Sequence, residues 1–177
     1  AEDGEAGDRN TVSCGSIEHK MGIHGNATCV INFDGAKAFL IGPENKGLNA
    51  MFTFMNTARI GTALQGVAAA EGSFQGALAY AKDRLAMRSL TGAKAPEKSA
   101  DPIIVHPDVR KMLLTQNAFA EGGRALVYLT SQQNDIVEHG NSAEDKKVAD
   151  DLLGFLTPIA KAFLTEVGYE AANHGVQ

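Results

Sequence analysis

The feature that most narrows the possible folds is a junction between two periodicities. Residues 22–48 (GIHGNATCVINFDGAKAFLIGPENKGL) read as strands and turns. They run directly into about forty residues whose only helix breakers are glycines, ending at Arg88 in a turn-like RSLTG. A sheet edge therefore feeds a very long, buried helix.

On the sheet side, Cys29, Ile31 and Phe33 alternate with Val30 and Asn32, and Asp34-Gly35 supplies a tight turn. Lys37, Phe39 and Ile41 then alternate with Ala38 and Leu40, which predicts a hairpin or two adjacent strands. An isolated hairpin is marginal in water, so a larger sheet is implied that this chain does not supply. Residues 1 to 15, dominated by Gly, Asp and Glu, are expected to be loop-like or disordered.

On the helix side, Leu48, Met51, Phe52, Met55, Ala58, Ala63, Leu64 and Val67 fall at helical spacing, while Phe54, Ile60 and Ala68 fill other faces. A helix apolar nearly all round is expected in a core. Gly61, Gly66, Ala68, Ala69, Ala70 and Gly72 crowd its middle and let neighbouring helices approach closely. Tyr80, Lys82, Asp83 and Arg84 mark its emergence into solvent. A polar loop from Ser89 to Pro102 leads to a second helix starting near Pro107, with Asp108 at the positive end of its dipole. Its stripe is Val109, Met112, Leu113, Gln116, Phe119, Ala120, Gly123, Leu126 and Val127. Ser142, three residues before Asp145, starts a third helix carrying Val148, Leu152, Phe155, Leu156, Ile159, Phe163 and Val167. Pro158 should kink it, and Gly168 or residues 173–175 should end it or break it into a fourth helix.

Composition excludes several classes of function. With 177 residues and 44% hydrophobic content, the chain can bury one sizeable core. A net charge of −5, with scattered lysines and arginines, gives no footprint for nucleic acid. No run of eighteen apolar residues predicts a membrane span, and the acidic opening AEDGEAGDRN is unlike a signal peptide, so a soluble cytoplasmic chain is expected. Cys14 and Cys29 have neither CxxC nor zinc-finger spacing and read as reduced thiols without a role. No metal site is predicted.

GxGxxG, P-loop, GxSxG and HExxH motifs are all missing. Arg59 stands out because it follows ten mostly apolar residues in a helix that reads as buried, where a guanidinium needs a partner. That partner is either a core carboxylate or an anionic or thioester ligand shared with Asn56, one turn earlier on the same face. Arg88, read as ending the helix, is either a solvated helix-end arginine or a bidentate phosphate clamp.

The order KMGIHGNATCVINFDGAKAFLIGPENKGL, MNTARIG, ALAYAKDRLAMRSLTG, DPIIVHPDVRKMLL and LTPIAKAFLTEVGYEAANHGVQ resembles the acyl-CoA dehydrogenase family over residues 12 to 177. The resemblance implies a mainly α fold. Residues 1–45 would be the tail of a middle β-domain, with two or three strands, and residues 46–177 an up-down helical bundle. It implies FAD as cofactor, with Arg88 and Gln177 contacting the FAD of a neighbouring subunit and Asn56 and Arg59 contacting the acyl-CoA. It further implies a homo-oligomer, dimer or tetramer, and an electron-transfer flavoprotein as partner. The PIIVHPDV connection and the Pro158 helix resemble a branch acting on methylthio-propionyl-like or longer acyl-CoAs. An acyl-CoA oxidase and a non-catalytic helical oligomerisation module stand as alternatives.

Two departures from the family pattern carry chemical weight. Where relatives have a glutamine after the histidine of the second-helix motif, His106 is followed here by Pro107. Where some relatives place the catalytic glutamate before the helix arginine, this chain has Ala58, and others carry it beyond a glycine pair that would follow Gln177. Dehydrogenation of a thioester needs a carboxylate to take the α proton while hydride leaves the β carbon, and losing that base costs on the order of a hundredfold to ten-thousandfold. The chain is thus expected to be a fragment of such an enzyme, inactive alone and with no catalytic residue of its own.

Overall fold

A computed structural model describes residues 7–177. The chain divides into two compact units, one of residues up to 50 and one of residues 51–177.

In the first unit, β1 (Val12–Ile17) pairs antiparallel with β2 (Cys29–Phe33), in a register that sets Val12 opposite Phe33 and Ile17 opposite Cys29, with an irregularity between Cys14 and Ser16. Gly15 fits there because a Cβ would meet the Asn32 side chain at 2.7 Å. Two expectations are corrected. Part of the predicted N-terminal loop is a strand, since the alternation of Val12 and Cys14 with small residues is short and is broken by the irregularity before Ser16. Residues 1–6 lie outside the described residues. The predicted strand over 37–41 does not form. Lys37 offers its N–H to the Asn10 side-chain oxygen (2.9 Å), and its carbonyl accepts from the Asn10 amide (2.7 Å), so one carboxamide takes the place of a ladder partner. Phe39 and Ile41 are consequently exposed. Cys14 and Cys29 are free thiols; burial and then the neighbouring Cys14 thiol push the Cys29 thiol up from its ordinary value.

The helical unit is built from α1 (Gly47–Asp83), which begins just before it, α2 (Pro107–His139) and α3 (Ala143–Val176). Ser142 caps α3 by accepting from the Asp145 N–H at 3.0 Å, as the sequence predicts. Buried positions on α1 are Ala63, Gly66, Val67, Ala70 and Ala81, one face at spacings of three and four. Leu48, Phe52, Phe54 and Leu64 are exposed, which corrects the expectation of a helix buried all round.

One core cluster joins Ala63 and Val67 of α1, Val127 of α2, and Ala160, Leu164 and Val167 of α3; a second joins Ala70, Ala120 and Ala171. Small residues set the helix spacing. A Cβ on Gly66 would collide with the Leu164 carbonyl, and one on Gly168 would meet the Gly66 carbonyl at 2.6 Å. On α2, a Cβ on Gly123 would meet the Leu164 side chain at 2.8 Å. α3 runs unbroken through Gly168 to Val176, so of the two predicted ends Gly168 is corrected and the one at residues 173–175 lies within a residue of the observed end. Gly168 is a packing residue. α3 also continues through Pro158, and the Thr157 hydroxyl donates to the Leu153 carbonyl at 2.6 Å.

Polar groups in this core are all matched. The Ser73 hydroxyl of α1 lies 2.9 Å from Gln116 Oε1 of α2 and 3.0 Å from the Ala171 carbonyl of α3, tying three helices at one point. Among the described residues no buried side-chain polar atom lacks a partner. Arg124 links α2 to α1 through Glu71 at 2.9 Å while also holding Glu121 at 2.8 Å. None of the described helices is long and apolar enough to cross a membrane.

Gly66→Ala is expected to force α1 and α3 apart and to destabilise the helical unit by about 1–3 kcal/mol, the usual range for overpacking. Urea unfolding followed by circular dichroism checks this; an unchanged midpoint would mean that the backbone contact is not a constraint.

Candidate functional site

Asn56 and Arg59 stand three residues apart on the exposed half of α1 and are both half-buried. The Arg59 guanidinium lies 5.8 Å from the centre of the Phe52 ring, two turns back on the same face. Among the described residues no carboxylate lies within ion-pair distance of it, so the core ion pair considered for Arg59 is replaced by stacking on Phe52. Ala58 is exposed and points no acid at this face.

Arg88 does not end α1. The helix stops at Asp83 because the backbone groups that follow are taken by the segment before α2: Ile103 N–H donates to the Arg84 carbonyl (2.8 Å) and Ala86 N–H to the Asp101 carbonyl (3.0 Å), with Leu85 bridging to Pro102. Arg88 therefore sits in a loop and not at a helix end, and its side chain is anchored while remaining partly exposed. Its Nη1 donates to the Ala95 carbonyl (2.9 Å) and to Asp101 Oδ1 (3.2 Å), and its Nη2 donates to the Lys98 carbonyl. The Nε–H and one Nη2–H have no acceptor among the described residues, and the side chain is 39% exposed.

At the centre of this loop is Asp101, which is 0% exposed. Oδ1 accepts the N–H groups of Lys94 (2.9 Å) and Ala95 (2.8 Å) as well as Arg88, and Oδ2 accepts the N–H of Ser89 (2.9 Å). The Ser89 bond, with those from Ala95, Lys94 and Arg88, outweighs burial and holds the carboxyl well below the usual carboxylate range. His106 closes the loop from the other side, its Nε2 lying 2.9 Å from the Ala86 carbonyl, which fixes that nitrogen as the donor. Sequence reasoning missed Asp101. The available signal was an acid set between a polar loop and the apolar Pro102-Ile103-Ile104, where the chain re-enters the core.

Gln177 is exposed at the end of α3, and with His174 it lines a cavity of about 160 Å³ whose other walls include Tyr80, Ala81 and Gln116. The structure thus brings Gln177 beside the last turns of α1, the end from which the Arg88 loop departs. Asn56 and Arg59 are not part of that end. At 1.5 Å per residue they lie roughly 30–40 Å down α1 from Tyr80 and Ala81. Asn56 and Arg59 thus share one face of α1, Gln177 lines the cavity at the other end of that helix, and Arg88 stands in the loop that follows, outside the cavity lining.

Two kinds of comparison bear on this arrangement. The family description "Acyl-CoA dehydrogenase, C-terminal domain" matches residues 45–177, three-quarters of the chain and all of the helices. The chain belongs to the acyl-CoA dehydrogenase family. It is 46% identical, over 99% of its length, to 3-methylmercaptopropionyl-CoA dehydrogenase of Ruegeria pomeroyi, covering 29% of that protein. It is 34% identical to the broad-specificity linear acyl-CoA dehydrogenase FadE5 of Mycobacterium tuberculosis and 33% identical to a butyryl-CoA dehydrogenase of Syntrophomonas wolfei, in each case over 99% of this chain and 30% of the relative. The chain therefore spans under a third of the length of each of these three relatives. Within the family frame, the mainly helical architecture with a small two-stranded sheet is the expected one, although the partner of β2 is not the segment that alternation selected.

The Asp101 carboxylate predicts an acid-limb signature. Because its folded value is depressed, its contribution to stability is complete above the unfolded carboxylate value, near 3.9, and is lost as pH falls below that through the folded value. Compared with Asp101→Asn, the wild-type chain should show a stability difference that is constant above about pH 5 and shrinks below about pH 4. Urea midpoints between pH 2 and 6 measure it, and parallel acid limbs in both proteins would contradict the assignment.

Proposed function

We propose that this chain is part of an FAD-dependent acyl-CoA dehydrogenase that converts an acyl-CoA thioester to its 2,3-enoyl-CoA and passes electrons to an electron-transfer flavoprotein. The observation that carries the reading is the family match across residues 45–177, within which all four candidate contact residues fall. Residues up to 45 are assigned to the tail of the middle β-domain and residues 46–177 to the helical bundle.

The residues present fit one segment of FAD and not the whole molecule. Arg88 retains two unengaged donors suited to a phosphate oxygen, and Gln177 is exposed at the cavity beside the last turns of α1. That cavity, about 160 Å³, is smaller than the 300–1,000 Å³ typical of a site that encloses a ligand of drug size. Arg88 and Gln177 accordingly hold the cofactor from outside, as a subunit does when it completes a partner's site, which makes the enzyme a homo-oligomer. When bound, the flavin supplies the acceptor for the hydride of the β carbon.

At the other end of α1, Asn56 and Arg59 meet the acyl-CoA. Arg59, held over Phe52, offers its remaining donors to an anionic or carbonyl oxygen, and Asn56 adds a neutral donor one turn away. The higher identity to the 3-methylmercaptopropionyl-CoA enzyme, 46% against 33–34%, favours a thioether-bearing or similarly short acyl chain. The cytoplasm is the compartment this soluble chemistry suits.

The intact gene product should copurify yellow with FAD absorption; a colourless protein that takes up no added FAD would end this reading. Its kcat/KM should be higher for 3-methylthiopropionyl-CoA than for butyryl-CoA in a dye-coupled assay. Arg59→Ala should raise KM for acyl-CoA about tenfold, the loss of one charge-assisted hydrogen bond, with FAD content unchanged. Unaltered KM would remove Arg59 from the substrate site.

A further inference from the structure

The Asp101 carboxylate already has three backbone donors, from Ser89, Lys94 and Ala95, at 2.8–2.9 Å. It does not need Arg88 to be satisfied. The converse is different: the Arg88 guanidinium is held at three points, by Asp101 Oδ1 and by the carbonyls of Ala95 and Lys98. The Ala95 carbonyl is in turn positioned by the bond from its own N–H to Asp101. A planar group with three anchors has no freedom to rotate, so a side chain that is usually mobile at a surface has one orientation.

The backbone shows the same investment. Met87, immediately before Arg88, has φ 58°, a left-handed conformation that a long side chain rarely adopts. It is held there by the Asp101 N–H, which donates to the Met87 carbonyl at 2.9 Å, and by the Ala86 N–H on the Asp101 carbonyl at 3.0 Å. Strain of this kind persists only where surrounding bonds over-determine it, and it concentrates where a side chain must be aimed. Both the side chain and the main chain of Asp101 thus converge on the direction of one arginine.

We propose that Asp101 is a positioning residue for the cofactor: it fixes the plane and direction of the Arg88 guanidinium before FAD arrives, leaving Nε–H and one Nη2–H presented to a phosphate oxygen. This rests on the reading of Arg88 as an FAD contact given above. Preorganisation raises affinity because the ordering of the arginine is complete in the free protein. Asp101 touches neither cofactor nor substrate; it acts through Arg88.

A double-mutant cycle on the intact protein tests this, with FAD binding to the apoprotein followed by flavin fluorescence. Arg88→Ala should weaken FAD binding about 10- to 100-fold, the range for a charge-assisted hydrogen bond. Asp101→Asn should weaken it about tenfold, and the double variant should bind no more weakly than Arg88→Ala alone, since residues acting through one group are not additive. If the double variant loses the full product of the two factors, Asp101 is only a general loop scaffold and the proposal is overturned. Wild-type affinity in Asp101→Asn overturns it as well. Wild-type affinity in Arg88→Ala instead sinks the reading of Arg88 itself, whatever Asp101→Asn does. Should Asp101→Asn not fold, Arg88→Lys keeps the charge but cannot fill three planar anchors. It should bind nearly as weakly as Arg88→Ala, and wild-type affinity in it would show that charge alone suffices.

Discussion

The helical unit depends on the backbone contact of α1 with α3. Gly66 lies against the Leu164 carbonyl and Gly168 against Gly66, so the two helices meet without intervening side chains. Leu164, wholly buried, then fills the space left by Gly123 on α2 and brings the third helix into the same cluster. Interior packing at crystal-like density leaves little slack for such a contact to open. Ser73, Gln116 and the Ala171 carbonyl lock the same three helices one to two turns further along α1. With the angles and spacings set there, the end of α3 at Gln177 is carried to the last turns of α1.

The rigidity has a consequence for function. Because α1 is a single uninterrupted rod, the Asn56–Arg59 face and the Arg88 loop cannot approach one another. Residues that a linear motif order groups together are held apart along one helix. The loop that carries Arg88 is itself ordered by one buried acid, so its exposed guanidinium gains the stiffness of the core without being buried.

Legibility varied with the range of the forces involved. α2 and α3 were readable at their starts because a proline, an acid in the first turn and a serine cap act within one turn. The long α1 was readable as helix, but its end was not, since the bonds that stop it at Asp83 come from residues 101–103. Alternation over 37–41 predicted a strand that the Asn10 carboxamide pre-empts, and Gly168 looked like a terminator although it serves the α1 contact. Among the site residues, the pairing of Asn56 with Arg59 on one face followed from helical spacing alone. Asp101 did not stand out, because a buried carboxylate is recognised by its donors, and those are three backbone N–H groups 6, 7 and 12 residues away.

What the amino-acid order determined by itself was the family, the presence and type of each helix, and which residues share a helical face. These are consequences of local periodicity and of motif order, and they need no knowledge of what packs against what. The tertiary structure decided where helices stop, which side of α1 is buried, and what Arg88 and Arg59 touch. Those outcomes depend on partners distant in sequence, whose backbone groups and small side chains meet only after the three helices have closed on Gly66, Gly123 and Gly168.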